Sequence, residues 1–183
     1  NKDCYNFFKK LIPYTGDTIV GIQNAKEYLG AGIPTNDMLK LYKYFSNFRV
    51  IKGESSSVSI QDEILNYPSD LRVFNGRGGQ EIIDNFAVGC KGIVPALDCA
   101  DKFIKIYKFL QNKEVEKAHK EYLKVLPTIV FIMQSINTLV CYGKRVCGYR
   151  MGIKNIYDRS PNLKPTLYGI KKSKFIANNL GKY

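Results

Sequence analysis

Four short apolar runs, each followed by a stretch of helical period, govern what this chain can fold into. They cover residues 18–22, 48–52, 71–74 and 92–97. Strands this short and apolar, alternating with amphipathic helices, pair in parallel. A parallel neighbour is reached only through a crossover, and the crossovers place helices over the sheet. Pro34 and Thr35 open the helix after the first run, with Met38, Leu39, Tyr42 and Phe45 as its core face. Ser59-x-x-Asp62 reads as a variant capping box, with Ile60, Ile64 and Leu65 inward and Pro68 as the stop. Residues 80–88 put Ile82, Ile83 and Phe86 inward and end at Gly89. Asp98-x-x-Asp101 caps a helix that buries Phe103, Ile106, Tyr107 and Leu110. Ahead of the first run, residues 1–14 read as the end of a helix stopped by Pro13. Residues 23–30 read as a long loop.

The pattern changes after Gln111. Residues 114–142 read as helical with a kink or restart at Pro127, and a short helix follows near 145–153. The expected organisation is therefore four βα units over 1–112, a helical extension over 113–157 and a basic, loosely ordered tail over 158–183. Four βα units fit either a small doubly wound sheet or part of an eight-stranded (β/α)₈ TIM barrel, which usually needs about 250 residues. The doubly wound form favours a glycine-rich turn after its first strand, and Gln23-Asn24-Ala25 is not one. A half barrel leaves two raw sheet edges, which fits a piece of a longer chain, a half that a second copy closes, or a degenerate copy.

Composition narrows the partners. The 183 residues are 45% hydrophobic, enough for a real core, and carry a net charge of +12. The basic residues are scattered rather than blocked, and no zinc finger or aromatic RNA-binding signature occurs. They read as a solvated basic surface, and nucleic acid is not expected as a partner. The five cysteines, Cys4, Cys90, Cys99, Cys141 and Cys147, are odd in number and unpaired in spacing, which fits a reducing, cytoplasmic setting. Without Cys-x-x-Cys, and with His119 alone in a charged helix, no metal site is expected. Residues 125–142 are the most apolar stretch, but Gln134, Ser135 and Asn137 interrupt it. It reads as a buried helix, and no membrane partner is expected. The opening residues do not read as a signal peptide. The sequence begins at Asn1 rather than Met and is expected to lack an upstream portion.

Lys52 is the residue with chemistry to offer. In Phe48-Arg49-Val50-Ile51-Lys52, period-two alternation puts Phe48, Val50 and Lys52 on one face. If that face points inward, the amine stands at the rim of an apolar interior. Desolvation there disfavours the ammonium form, and a neutral amine attacks carbonyl groups to form a Schiff base. Glu54 and Ser55, just beyond it, are placed to orient the amine or a water, although Ser55-Ser56-Ser57 reads equally as a loop. In Asn75-Gly76-Arg77-Gly78-Gly79, glycines permit close backbone approach to an anion, and Arg77 reads equally as a grip on a carboxylate or phosphate through two parallel hydrogen bonds or as an exposed loop arginine.

Over residues 1–155 the chain resembles the C-terminal half of the dihydrodipicolinate synthase / N-acetylneuraminate lyase superfamily. The resemblance lies in Gly30-Ala31-Gly32-Ile33, the strand ending at Lys52, the strand end Val73-Phe74-Asn75-Gly76, and Val88-Gly89-Cys90-Lys91-Gly92-Ile93. It implies strands five to eight of a TIM barrel followed by extra C-terminal helices. It also implies a class I aldolase or lyase that acts, without a cofactor, on pyruvate or a related small-molecule 2-oxo acid, and that forms a homo-oligomer. Lys52 matches the family's Schiff-base lysine. Gln23, 29 residues earlier, falls where the family has a catalytic tyrosine, and Lys26 where it has a proline. A glutamine can hydrogen-bond a carboxylate but cannot do a phenol's proton transfer. Lys52 and Gln23 are the catalytic candidates; Asn75, Gly76, Arg77 and Pro95 are the substrate-binding ones. The alternative is a non-catalytic relative that keeps the fold and binds a metabolite.

Overall fold

The protein, a computed structural model, is described from residue 2 to residue 183. It divides into two compact units, one reaching to Arg77 and including Glu81–Val94, the other made of Gly78–Gln80 and Pro95–Tyr183. That division falls before, not after, the helix that the sequence placed at the end of the fourth βα unit.

The first unit runs α1 (Lys2–Leu11), a 3-10 turn (Ile12–Thr15) entered through Pro13, β1 (Val20–Asn24), α2 (Lys26–Leu29), α3 (Thr35–Tyr44), β2 (Phe48–Gly53), α4 (Ser57–Asn66), β3 (Arg72–Asn75), α5 (Ile82–Ala87) and β4 (Gly92–Ile93). The four strands pair in parallel in the order β1-β2-β3-β4. A doubly wound sheet reverses its strand order at a switch point, whereas a barrel adds strands in succession, so the order agrees with the barrel alternative.

Among the described residues of this unit, the helices pack on one face of the sheet. Ile22, Ile51 and Val73, from successive strands, are buried in one cluster with Met38 and Leu41 of α3 and Ile60 of α4. On the same face, a Cβ on Gly53 would come within 2.3 Å of the Ile60 Cδ1, so α4 sits directly against the strand there. The residues in opposite phase are less covered: Gly21 and Gln23 are exposed, and Val50, Lys52 and Phe74 half-buried. Phe48 departs from the expected phase. It is fully buried in the helix-side cluster, at the strand entrance where the β1–β2 register shifts between Val20 and Gly21.

Several local readings need correction: Leu65 and Tyr107, expected inside, are exposed, and the fourth strand is Gly92–Ile93 rather than 92–97. β1 starts two residues late and takes Gln23 and Asn24 into the sheet, so the expected loop shrinks and contains the single turn α2. In α3 the buried pair is Met38 and Leu41, while Leu39, Tyr42 and Phe45 are half-buried. The cap of α4 is Ser56, not Ser59, because the Ser56 hydroxyl accepts from the Ser59 backbone N–H at 3.3 Å. Ser56→Ala should therefore cost about 1 kcal/mol in urea unfolding, the usual worth of an N-cap, and more than Ser59→Ala.

The second unit runs a 3-10 turn (Leu97–Cys99), α6 (Ala100–Gln111), α7 (Val115–Ile132), α8 (Ile136–Thr138), a π-helical turn (Leu139–Gly143), α9 (Lys144–Arg150) and α10 (Leu167–Leu180). Asp98 and Asp101 do not cap α6; its N-cap is Cys99, and the Asp101 carboxylate pairs with Arg150 instead. α7 runs through Pro127, and the break comes later, where Ser135 and Thr138 cap each other's backbone. No single helix among the described residues is long and apolar enough to cross a membrane.

The tail is not loosely ordered where α10 forms. Thr166 caps it, and Gly169, Ser173, Ile176, Ala177 and Leu180 are buried. Gly169 lies so close to the Tyr142 ring that a Cβ would come within 2.2 Å of it. Three of the five buried residues, Gly169, Ser173 and Ala177, are small, and Lys171 and Lys174 are exposed, which hid an ordered helix behind a basic composition.

Candidate functional site

Lys52 is the fifth residue of β2, on the face away from the helices. The register sets Gln23 of β1 beside it on one side and Phe74 of β3 on the other. Its side chain is 27% exposed, and its Nζ lies 3.0 Å from the Glu54 Oε1. The amine is therefore half of an ion pair and not, within this unit, a lone group in an apolar interior. The residues of its face that were to supply that interior are half-buried or, at Phe48, turned into the other cluster.

Glu54 is the hub. It is 7% exposed, and both carboxylate oxygens are engaged. Oε1 accepts from the Gln23 Nε2 at 3.1 Å and faces Lys52; Oε2 accepts from the Arg77 backbone N–H at 2.7 Å. Charge-assisted bonds of this kind, shielded from water, hold a carboxylate firmly. Gly76 makes the arrangement possible, since a Cβ there would stand 2.4 Å from both Glu54 oxygens. Gly76→Ala should therefore displace the carboxylate or distort the turn, at about 1–3 kcal/mol in a denaturant titration.

The turn after β3 aims the donor. Gly76 donates its N–H to the Gly53 carbonyl at 3.0 Å, and Arg77 follows in the left-handed region at φ 50°. Asn75 is fully buried. Its amide donates to the Ser55 carbonyl and to the Asn85 Oδ1, and its Oδ1 accepts from the Gly76 N–H. It thus ties the loops after β2 and β3 together rather than presenting itself to a ligand. The Arg77 guanidinium reaches the Glu81 carboxylate at 3.0 Å, and Glu81 also accepts from the Ser57 backbone N–H and hydroxyl. The Arg77 Nε is buried and has no hydrogen-bond partner among the described residues.

Of the expected site residues, Gln23, Lys52, Gly76 and Arg77 converge on Glu54, Asn75 braces them from behind, and Pro95 falls in the second unit. Glu54 was outside the expected catalytic set. The signal that finds it is the same alternation that found Lys52, because position 54 continues the series 48, 50, 52.

No family profile matches the chain. Among curated proteins, a 4-hydroxy-tetrahydrodipicolinate synthase of Caldicellulosiruptor saccharolyticus is 28% identical over 154 residues, 82% of this chain and 51% of that protein. Among solved structures, dihydrodipicolinate synthase from Rhodopseudomonas palustris superposes with a TM-score of 0.82 at 14% identity, over 97% of this chain and 61% of that one. The sialic acid aldolase of Ruminococcus gnavus gives 0.83 at 14% identity, over 96% and 59%. Sequence and structure matches all point to the dihydrodipicolinate synthase / N-acetylneuraminate lyase superfamily. The chain spans about half the length of the curated relatives it matches. At these identities the solved structures establish the fold alone, an α/β fold with a parallel sheet and covering helices.

Proposed function

We propose that the chain forms strands five to eight and the C-terminal helices of a class I aldolase or lyase acting on pyruvate or a related 2-oxo acid in a homo-oligomeric, cytoplasmic enzyme. The observation that carries this is the position of the Lys52 Nζ. It stands one residue from the C-terminal end of its strand, on the face the helices leave uncovered, with a carboxylate at 3.0 Å. In barrel enzymes that end of the strands bears the chemistry. The neutral amine attacks the keto carbon, water leaves, and the iminium accepts the electron pair when a neighbouring C–C bond breaks, or stabilises the nucleophile when one forms. Gln23 orients the substrate from the adjacent strand. Arg77 offers its guanidinium to a substrate anion in exchange for Glu81, with Gly76 beside it in the same turn.

Incubation of the full-length protein with pyruvate and borohydride should leave a reduced adduct on the Lys52 peptide, read by mass spectrometry. Absence of that adduct overturns the reading. The presence of Gln23 in place of a phenol favours a second one, a metabolite-binding relative without turnover. It predicts thermal stabilisation by 2-oxo acids and no borohydride-trapped product.

A further inference from the structure

Schiff-base formation needs a proton removed from the lysine and a proton delivered to the departing hydroxyl. The Gln23 amide can hold a partner but cannot shuttle protons. Phe74, on the other side of Lys52, has no proton to give. The titratable group that touches the Lys52 Nζ is Glu54, 3.0 Å away. We propose that Glu54 is the acid–base catalyst at this site, with Gln23 and the Arg77 backbone N–H as the groups that position it. This inference rests on the Schiff-base reading above.

The steps balance with no other reagent. The Glu54 carboxylate takes a proton from the Lys52 ammonium. The freed lone pair attacks the keto carbon, and the C=O electron pair moves to oxygen, which Glu54 protonates. Glu54 then removes a second proton from the nitrogen and returns it to the hydroxyl. Water leaves as the nitrogen lone pair closes the C=N bond, giving the protonated imine and the original carboxylate. One ammonium and one ketone become one iminium and one water.

The geometry suits this cycle. Oε1, the oxygen facing Lys52, is shared only with the neutral Gln23 amide, while Oε2 is pinned by the backbone of the turn. The acid therefore pivots little as it gains and loses the proton. Its near-complete burial strengthens every bond it makes and keeps bulk water from competing. Gly76 leaves room for a carboxylate of this length at this spot.

The test is the rate of borohydride-trapped pyruvate adduct on Lys52 in the full-length protein. Glu54→Gln keeps the shape and the contacts to Arg77 but should slow adduct formation by about 100-fold or more. Glu54→Asp should recover part of the rate. Glu54→Ala should be restored in part by added formate, which a purely structural role would not allow. An unchanged rate in Glu54→Gln, or no response of Glu54→Ala to formate, overturns this inference while leaving Lys52 as the nucleophile. No adduct in the parent protein overturns the Schiff-base reading, and this inference with it.

Discussion

Lys52→Arg is expected to abolish the borohydride-trapped adduct completely while leaving the protein folded. The guanidinium keeps the positive charge beside Glu54 and can bond it bidentately, so the unfolding free energy should stay within about 1 kcal/mol of the parent value. Arginine does not lose its proton in proteins, so no lone pair becomes available to attack a carbonyl. Lys52→Ala is the less clean experiment. It removes the partner of a carboxylate that is 7% exposed, and leaving that charge without its counter-ion should cost about 1–3 kcal/mol. A folded Lys52→Arg protein that still traps pyruvate would place the nucleophile elsewhere and end the assignment. Mass mapping of the adduct peptide and urea unfolding of both variants separate the two effects.

Much of the first unit was legible because β-branched runs and helical periods are local. The parallel sheet, the helices that cover it and the strand carrying Lys52 all follow from such patterns. Sequence spacing alone did not reveal what stands next to what. The 29 residues between Gln23 and Lys52 say nothing about adjacency, whereas the β1–β2 register makes them direct neighbours. β1 had been read two residues early, since Thr18 and Ile19 look as strand-like as Val20 and Ile22. Glu54 is hard to single out because the strand ends at Gly53 and Ser55-Ser56-Ser57 after it looks like a loop. Among glycines, Arg77 reads equally as an anion grip or as an exposed loop arginine. Its pairing with Glu81, four residues on, could have been anticipated once the turn was known to lead into α5. In the second unit Asp101 looked like a cap because its spacing from Asp98 fits one. Its partner, Arg150, lies 49 residues away, and no local pattern reports such a pair.

Arg150→Met is expected to produce the largest loss of stability in the chain. The Arg150 side chain is 0% exposed. Its guanidinium bonds the Asp101 carboxylate at 2.8 and 2.7 Å, the Asp98 carbonyl at 2.6 Å and the Gly181 carbonyl at 2.8 Å, and lies 4.1 Å from the Tyr183 ring centre. One side chain thus joins the start of α6, the end of α9 and the residue that follows α10. Methionine fills the volume but leaves two carbonyls and a carboxylate without their donor, so the cost should be about 3–5 kcal/mol, read as a lowered denaturant midpoint. Lysine should not rescue it, because a point charge on a flexible stem cannot serve three acceptors in the plane of a fork. The pH dependence gives a second reading. Burial pushes the Asp101 carboxyl up, but Arg150 and Lys102 more than offset this and hold it below its ordinary value. Asp158 is held well below that value by hydrogen bonds from Arg145 and then Lys144. Groups depressed in this way stabilise the fold above their unfolded pKa of about 3.8 and lose that contribution as pH falls through the lower folded values. Asp98, pushed up to about 6 by burial, has the opposite sign: its contribution is present at low pH and is lost as pH rises from about 3.8 towards 6. Arg150→Met should therefore flatten the acid limb of stability by the share that Asp101 supplies while Asp158 keeps its own. An acid limb of unchanged slope would mean that Asp101 gains its charge stabilisation from some other group.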